Sequence, residues 1–207
     1  PFACLGLEPQ ELKYEGEAAR LRIGQRCLIR EHVTIHPGTG GGGSETVVGS
    51  GCVLLAGSHV AHDCQLGNDI ILSNNVMLAG HVQVGDRVIF GGGSAVHQFA
   101  RVGTGAFVGG LAGVEHDLVP FAIAIGHRAA IAGPNVVGLR RAGFHKSDIH
   151  AVREAYHMLF ESDLPMRKAG EALAADANAA KHPLVSTLID FVSQSSDRAY
   201  CTMRRKG

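Results

Sequence analysis

Histidines gather at a repeated interval in the middle of the chain. His62, Gly80 and Gln98 follow one another at steps of 18 residues, and His81 and His97 are next to the last two. A neutral imidazole can remove a proton from a hydroxyl nucleophile in acyl transfer, and a neighbouring carboxylate can fix its tautomer. Clustered histidines can also hold a metal ion. Either chemistry requires that residues 18 apart lie side by side.

Asp63 and His59 extend this cluster. Asp63 follows His62 directly, but adjacent side chains diverge in an extended strand, so the two can meet only at a corner of the chain. His59 lies three residues before His62. One histidine at an edge is most often a solvated surface residue, whereas the group as a whole favours a functional site.

An apolar residue at every sixth position predicts the element that would bring these residues together. From Val48 to Val114, twelve successive positions at this interval hold Val, Leu or Phe, and the position four residues after each is small or apolar. A period of six fits neither a helix nor a half-buried strand, and it is typical of a solenoid of hexapeptide turns. With three hexads per coil, residues 18 apart stack about 4.8 Å apart. His62, Gly80 and Gln98 are therefore expected on one edge of three adjacent coils.

The six-residue period divides the chain into two parts. Residues 1–133 are predicted to form the solenoid, interrupted by a loop at about residues 36–47, where the run Gly40 to Gly43 breaks the period. The chain begins at Pro1 within a repeat already under way, so we expect early coils to precede it, as in an N-terminally truncated sequence. Residues 134–207 are predicted to form a helical domain that covers the open end of the solenoid.

Helical patterns replace the period after residue 134. Ser147 and Asp148 are expected to cap one helix, and Pro165 and Pro183 to begin two more. The basic tail from Arg204 to Lys206 lacks apolar periodicity and is predicted to be frayed.

The amino-acid composition limits the classes of binding partner and the cellular compartment that we expect for this protein. Lys plus Arg equals Asp plus Glu at 19 each, so there is no global field for nucleic acid or for an anionic membrane. Without a long apolar run we expect no integral membrane segment and a cytoplasmic protein. The five cysteines are odd in number and lack metal-ligand spacing, which favours core packing in a reducing compartment.

The sequence around the histidines resembles the UDP-N-acetylglucosamine acyltransferases of lipid A biosynthesis. The similar segments are residues 59–64, 73–82 and 95–99, together with 12–17, 30–36 and 138–144. They occur in the same order and at compatible spacing over nearly all 207 residues. Generic hexapeptide transferases share the period but lack these segments.

The resemblance implies a mainly β protein, with a left-handed parallel β-helix of hexapeptide repeats followed by a C-terminal α-helical domain. It implies a homotrimer with active sites between subunits. The implied reaction moves a 3-hydroxyacyl chain from acyl carrier protein to the 3-position of UDP-N-acetylglucosamine, the first step of lipid A biosynthesis. The resemblance implies neither a metal nor a cofactor.

The resemblance also implies roles for individual residues. His62 would be the general base, Asp63 its orienting carboxylate, and Gly80 the donor of a backbone N–H to the oxyanion. Gly110 matches the position that gauges acyl length, and its small size favours a longer chain. The substrate-binding residues implied are Glu11, Lys13, His36, His59, His81, His97, Gln98, Asn135 and Arg141.

Three positions depart from the family pattern. Glu11 stands where an aspartate is common, Val137 where a glutamate is frequent, and Ala142 where an arginine is frequent, so the effect of the last two on nucleotide binding is open. The alternatives are a related N-acyltransferase acting on a UDP-glucosamine intermediate, a metal-dependent β-helix enzyme, and a scaffold without catalysis. The sequence leaves a 3-hydroxyl and a 3-amino acceptor equally possible, because the same base serves either nucleophile.

Overall fold

Short parallel strands arranged as the three faces of a prism make up most of the computed structural model, which describes residues 1–204. Sheet I contains β1, β4, β7, β10, β13 and β16, sheet II contains β2, β5, β8, β11 and β14, and sheet III contains β3, β6, β9, β12, β15, β17 and β18. In chain order the strands are β1 (Cys4–Leu5), β2 (Arg20–Ile23), β3 (Leu28–Ile29), β4 (Thr34–Ile35), β5 (Glu45–Val48), β6 (Val53–Leu54), β7 (His59–Val60), β8 (Gln65–Leu66), β9 (Ile71–Leu72), β10 (Met77–Leu78), β11 (Gln83–Val84), β12 (Ile89–Phe90), β13 (Ala95–Val96), β14 (Arg101–Val102), β15 (Phe107–Val108), β16 (Gly113–Val114), β17 (Ala122–Ile125) and β18 (Ala130–Pro134).

Residues 18 apart lie in register on neighbouring coils, as the six-residue period predicts. Met77 of β10 pairs with His59 of β7 on one side and with Ala95 of β13 on the other. Each of the twelve apolar anchors ends a strand and is at most 4% exposed. Fully burying one such side chain stabilises a fold by ~1.5–3 kcal/mol. The repeated anchor therefore fills the prism and fixes its register.

The coils turn at corners whose residues adopt left-handed backbone conformations. Between sheets I and II, Asp63, His81 and Phe99 form one column, with φ angles of 60°, 62° and 64°. Side chains of adjacent residues need not diverge at such a corner as they do in a strand. His62 and Asp63 can therefore approach each other, which the sequence analysis required of them.

Two loops interrupt the coils beside this corner. One covers residues 36–44, so Thr34 of β4 pairs with His59, which is 25 residues later. Residues 45–47, assigned to this loop from the sequence, instead begin β5 because they pair in register with β2. The other loop covers residues 6–19 between β1 and β2 and was not predicted. Gly40 N–H donates a 2.8 Å hydrogen bond to Glu17 Oε1, which joins the two loops.

Within residues 1–204, five helices follow the last strand, two more than the sequence predicted. They are α1 (Val136–Arg141), α2 (Lys146–Glu161), α3 (Met166–Ala175), α4 (Ala177–Ala180) and α5 (Pro183–Ser193). The cap of α2 was predicted wrongly: His145 caps it through Nδ1, which accepts from the N–H of Ser147. Pro165 is the N-cap residue of α3 and Pro183 is the first residue of α5, so both helices start where the sequence predicted. The boundary between residues 133 and 134 as a domain limit stays a prediction.

A buried ion pair attaches the helices to the solenoid. Arg101 Nε donates to Asp117 Oδ2 at 2.7 Å, and Arg101 Nη1 donates to the Phe191 carbonyl at 3.3 Å. The same guanidinium lies 4.4 Å from the centre of the Phe191 ring, so charge and packing together hold α5 against sheet II.

The first residue of the basic tail is hydrogen-bonded to the solenoid. Arg204 N–H donates a 2.8 Å hydrogen bond to the Ile131 carbonyl, so this residue is paired rather than frayed. Arg205 and Lys206, the rest of the predicted frayed tail, lie outside the described residues. Within residues 1–204, no helix has the length and apolar character needed to cross a bilayer. Cys52, Cys64 and Cys201 are buried free thiols, which agrees with a packing role.

Candidate active site

His62 and Asp63 form a buried hydrogen-bonded pair at the corner between sheets I and II. His62 Nδ1 is 2.9 Å from Asp63 Oδ2, and the two residues are 7% and 3% exposed. Because an ionised carboxylate only accepts hydrogen bonds, Nδ1 carries the proton and Nε2 is left as the basic nitrogen. The corner therefore sets the tautomer that a general base needs.

Asp63 is fixed by the glycine-rich loop that precedes β5. Its Oδ1 accepts from the Thr39 backbone N–H at 2.9 Å, and its Oδ2 accepts from the Thr39 hydroxyl at 2.7 Å. The Asp63 N–H donates to Thr46 Oγ1 at 2.7 Å. A Cβ at Gly42 would overlap the Asp63 carboxyl group. The glycine run thus allows the loop to close over the carboxylate. The sequence analysis interpreted this run only as a break in the six-residue period and missed this role.

Gly80 lies directly above His62 on the next coil. The backbone links them, because His81 N–H donates to the His62 carbonyl at 3.0 Å, and Phe99 N–H donates to the Gly80 carbonyl at 3.1 Å. A Cβ at Gly80 would lie 2.6 Å from Cε1 and Nε2 of His62, so only glycine leaves room for the imidazole. The predicted column of His62, Gly80 and Gln98 is therefore present on one edge.

The amide of Gly80 donates to no group among residues 1–204. At the edge between sheets II and III, the same turn position is closed by side chains: Ser50 N–H donates to Asn68 Oδ1 at 2.9 Å, and Asn68 N–H donates to Asp86 Oδ1 at 2.7 Å. The corner between sheets I and II thus keeps a backbone donor free beside the imidazole, whereas the edge between sheets II and III uses the equivalent donor for structure.

His81 and Phe99 pack against the pair from the next two coils. The His81 ring stacks on Phe99 at 4.4 Å and meets the edge of the His62 ring at 5.0 Å. His81 Nε2 lies 3.9 Å from Asp63 Oδ2. Burial lowers the pKa of His81, and the negative charge of Asp63 opposes that shift. Phe99 was missed by the sequence analysis, although its place 18 residues after His81 was a usable signal.

A second pair of histidines joins this coil to the preceding one, because His59 lies on the coil of His62 and His36 follows β4 on the coil before it. His59 Nδ1 is 2.7 Å from Thr34 Oγ1, and His36 Nδ1 is 2.7 Å from the Glu8 carbonyl. Their rings meet edge to face at 5.2 Å. Burial lowers the pKa of His59, and the nearby imidazoles of His36 and His62 lower it further. His59 is therefore held neutral more readily than a solvated histidine.

The unpredicted loop of residues 6–19 brings Glu11 close to Nε2 of His62. Glu11 Oε2 lies 3.6 Å from His62 Nε2. Glu11 Oε1 accepts from the backbone N–H of Lys13 at 3.0 Å, which orients the carboxylate, while the Lys13 side chain is exposed. A substrate hydroxyl that reaches His62 Nε2 would also meet Glu11.

Four predicted residues lie away from this column. His97 is one position earlier in its coil, and its Nδ1 accepts from Arg198 Nη2 at 2.9 Å. Gly110 is exposed at the corner between sheets III and I. Asn135 and Arg141 line a groove on sheet III.

The departures Val137 and Ala142 line that same groove, and Val137 is 54% exposed. The Asn135 amide is engaged structurally: Oδ1 accepts from Gly138 N–H at 2.9 Å, and Nδ2 donates to the Gly105 carbonyl at 3.1 Å.

The geometry of the same corner also bears on the alternative of a metal site. His62, Asp63 and His81 each offer a ligand atom, and these atoms lie within 4.8 Å of one another. Three ligands match an open zinc site. However, His62 Nδ1 and Asp63 Oδ2 are already bonded to each other, and both Asp63 oxygens accept from Thr39. A metal would have to displace these bonds, so the arrangement favours acid–base chemistry.

Comparison with known sequences places this geometry in a family context. Residues 117–201 match the family model described as UDP N-acetylglucosamine O-acyltransferase, domain 2, and residues 45–80 match bacterial transferase hexapeptide repeats. The acyl-[acyl-carrier-protein]–UDP-N-acetylglucosamine O-acyltransferase of Agrobacterium fabrum is 47% identical over 206 residues, which cover 99% of this chain and 75% of the relative. Its counterpart in Sinorhizobium medicae is 48% identical over 205 residues, with the same coverage.

Solved structures agree with the sequence comparison. The UDP-N-acetylglucosamine O-acyltransferase of Moraxella catarrhalis has a TM-score of 0.91 at 40% identity, covering 96% of this chain and 76% of its own. The enzyme of Campylobacter jejuni has a TM-score of 0.89 at 35% identity, covering 98% and 77%. A perosamine N-acetyltransferase from Caulobacter crescentus reaches only 0.54 at 27% identity, covering 64% and 54%. The agreement and the parallel sheets confirm the left-handed parallel β-helix with a C-terminal helical region.

Replacing Thr39 with valine should weaken the positioning of the His62–Asp63 pair while keeping the volume of the side chain at residue 39. The change removes the hydroxyl donor to Asp63, and a hydrogen bond to a charged group is worth ~1.5–3 kcal/mol. We expect turnover to fall by about tenfold or more. Thr39→Ser keeps the hydroxyl and should retain most of the rate. Steady-state kinetics check this, and equal turnover of Thr39→Val and the wild type would contradict the role given to Thr39.

The lowered pKa of His59 predicts a loss of stability in acid. The unfolded chain takes up a proton on this histidine near pH ~6.5, whereas the folded protein resists it until a lower pH. The contribution is complete above pH ~6.5 and is lost as the pH falls below it. His59→Gln has no titrating group, so its free energy of unfolding should drop less between about pH 7 and about pH 5. Urea unfolding at both values measures this, and equal drops would refute it.

Proposed function

The chain belongs to the acyl-[acyl-carrier-protein]–UDP-N-acetylglucosamine O-acyltransferase family, and from this premise we propose how its residues carry out the reaction. The chain spans about 75% of the length of the curated relatives. Its function is the transfer of an acyl chain from acyl carrier protein to UDP-N-acetylglucosamine in the first step of lipid A biosynthesis. The proposed acyl group is a 3-hydroxyacyl chain and the proposed acceptor is the 3-hydroxyl of the sugar.

The stacked column of His62 and Gly80 carries the mechanism. His62 Nε2 removes the proton of the sugar hydroxyl while the oxygen attacks the thioester carbonyl of the acyl donor. The Asp63 carboxylate stabilises the imidazolium that forms, and the free Gly80 N–H receives the oxyanion. When the tetrahedral intermediate collapses, the carbon–sulfur bond breaks and the thiol of the carrier leaves with the proton from His62.

The residues around His62 form the proposed acceptor side of the site. Glu11 lies within reach of a hydroxyl at His62 Nε2. His36, His59 and His81 present imidazoles to the same corner, and the lowered pKa values of His59 and His81 make them neutral hydrogen-bonding groups at neutral pH. Lys13, Gln98 and His97 remain proposed substrate contacts, and the cytoplasmic location remains a prediction from the sequence.

A homotrimer with shared active sites would join the two groups of predicted residues. His62 lies at the corner between sheets I and II, whereas Asn135 and Arg141 line the groove on sheet III. Packing that corner of one subunit against sheet III of the next would bring the base and the nucleotide contacts to one acceptor molecule.

An N-acyltransferase is less well supported than the O-acyltransferase. The N-acetyltransferase of Caulobacter crescentus overlaps a smaller part of the chain, with a TM-score of 0.54 against 0.91 for the O-acyltransferase of Moraxella catarrhalis. His62 would serve a 3-amino acceptor in the same way, so both acceptors belong in the assay.

Removing the imidazole of His62 tests the mechanism. A general base contributes about 10²- to 10⁴-fold to the rate, so His62→Ala should lose activity by that factor on UDP-N-acetylglucosamine. His150→Ala removes an exposed imidazole from α2 and is the matched control, with near wild-type turnover expected. Circular dichroism and unfolding curves establish that both variants are folded. Near-full turnover by folded His62→Ala would remove His62 as the base.

Mixing two defective subunits tests the shared site. His62→Ala and Arg141→Glu should each be inactive alone, because each damages every site of its own trimer. In random trimers, three quarters are mixed and each holds one site with both wild-type residues, so we expect about a quarter of wild-type activity after co-assembly. Absence of recovery in a verified mixed trimer would mean that the two residues act within one subunit, and a monomer on sedimentation would exclude the trimer.

Gly110 makes a specific prediction for the acyl donor. A Cβ at this position would meet only the Gly92 backbone at 3.4 Å, so larger side chains fit there and glycine leaves the corner open. We expect the wild type to prefer longer 3-hydroxyacyl donors, and Gly110→Leu to shift the preference to shorter ones. A ladder of acyl carrier proteins charged with different chains measures kcat/KM for each. If the order of kcat/KM values among the acyl donors is unchanged in Gly110→Leu, Gly110 does not determine the acyl-chain length.

A further inference from the structure

The groove on sheet III has a cationic residue that the sequence analysis did not single out. It has a volume of about 510 Å³, an apolar floor formed by Ile89, Phe107 and Ile123, and a wall formed by α1. Arg87 lines it from the corner between β11 and β12, and Arg141 lines it from the last turn of α1. Two guanidinium groups therefore border one groove from two different elements.

Neither arginine is neutralised by a close partner. In residues 1–204, no ion pair includes Arg87 or Arg141, and both residues are exposed. By contrast, the buried Arg101 is paired with Asp117. Unpaired guanidinium groups beside an apolar surface are suited to a ligand that has both an apolar or planar part and a negative charge.

The groove is widened beside the Arg87 guanidinium, because a glycine lies next to Arg87 on the following coil. Arg87, Gly105 and Phe121 occupy the same corner column on successive coils, with φ angles of 56°, 68° and 62°. A side chain at Gly105 would reach within 2.9 Å of the Phe121 ring. The missing side chain therefore leaves a notch between Arg87 and the aromatic ring, which forms part of the groove lining.

We propose that Arg87, together with Arg141, binds the diphosphate of the nucleotide-sugar acceptor in this groove. This inference rests on the proposed function, because it takes the acceptor to be a nucleotide diphosphate sugar. Two guanidinium groups match the two negative charges of a diphosphate, and the notch and apolar floor offer a surface for the base. The phosphodiester of a phosphopantetheine arm has one negative charge and matches the pair less well.

The matched pair of variants is Arg87→Ala and Arg26→Ala. Arg26 occupies the same corner column three coils earlier, is also exposed, and has the same φ of 56°. It is about 14 Å away along the axis at ~4.8 Å per coil, so it does not share the groove. Both changes remove the same side chain from the same backbone geometry, so effects on folding and on total charge should be equal.

Initial rates are measured while each substrate is varied in turn. For Arg87→Ala we expect the KM for UDP-N-acetylglucosamine to rise about tenfold, which corresponds to ~1.4 kcal/mol, with little change in the KM for the acyl carrier protein. Arg87→Lys should recover part of the loss because it restores the charge without the planar fork. Arg26→Ala should match the wild type. Titration calorimetry with UDP on the same proteins should give the same order of affinities.

The outcomes separate this proposal from the one on which it depends. A wild type that transfers no acyl chain to UDP-N-acetylglucosamine would overturn the proposed function, whereas the UDP titration would still report whether Arg87 contacts phosphate. If the wild type is active and Arg87→Ala changes neither the KM for the acceptor nor the affinity for UDP, Arg87 is not a diphosphate contact. A rise only in the KM for the acyl donor would also overturn the proposal, and would assign Arg87 to the pantetheine phosphate.

Discussion

Register between stacked coils is the constraint on which the rest of the molecule depends. From β5 to β13, each short strand pairs in parallel with the strand 18 residues later. Buried anchors fill the prism, so a slip by one residue would turn the apolar side chains outward. Because the register is strict, equivalent positions of successive coils form a column along one edge of the prism. The residues of a column have the same backbone position and differ only in their side chains. Function arises where one column departs from its neighbours.

The corner between sheets I and II differs in this way from the corner between sheets II and III. The equivalent turn amides at the next edge are capped by Asn68 and Asp86, whereas Gly80 leaves its amide uncapped and gives its space to the imidazole of His62. The left-handed conformation at Asp63 turns its carboxylate toward the same ring. The proposed base, its proposed orienting carboxylate and a free backbone donor therefore occupy one corner, which lacks the side-chain cap of the next edge.

The inserted loops complete what the coils begin. Thr39 holds the Asp63 carboxylate through two hydrogen bonds, and Glu11 faces His62 Nε2 from the other loop. The groove on sheet III, with Arg87 and Arg141, lies on a different face of the prism. A solenoid can expose different chemistry on each face, and association of subunits is the means by which two faces could act on one substrate.

The sequence by itself determined the solenoid, its 18-residue column and the histidines on that column, because the six-residue period is a local pattern that repeats without interruption from Val48 to Val114. It also located the helical region and two helix starts at Pro165 and Pro183. It could not give the contacts of residues that lie far apart in sequence. The pairing of Thr39 with Asp63, the approach of Glu11 to His62 and the cap of α2 by His145 were decided only by tertiary structure. Loops have no period, so only the folded chain defines which groups they bring into contact.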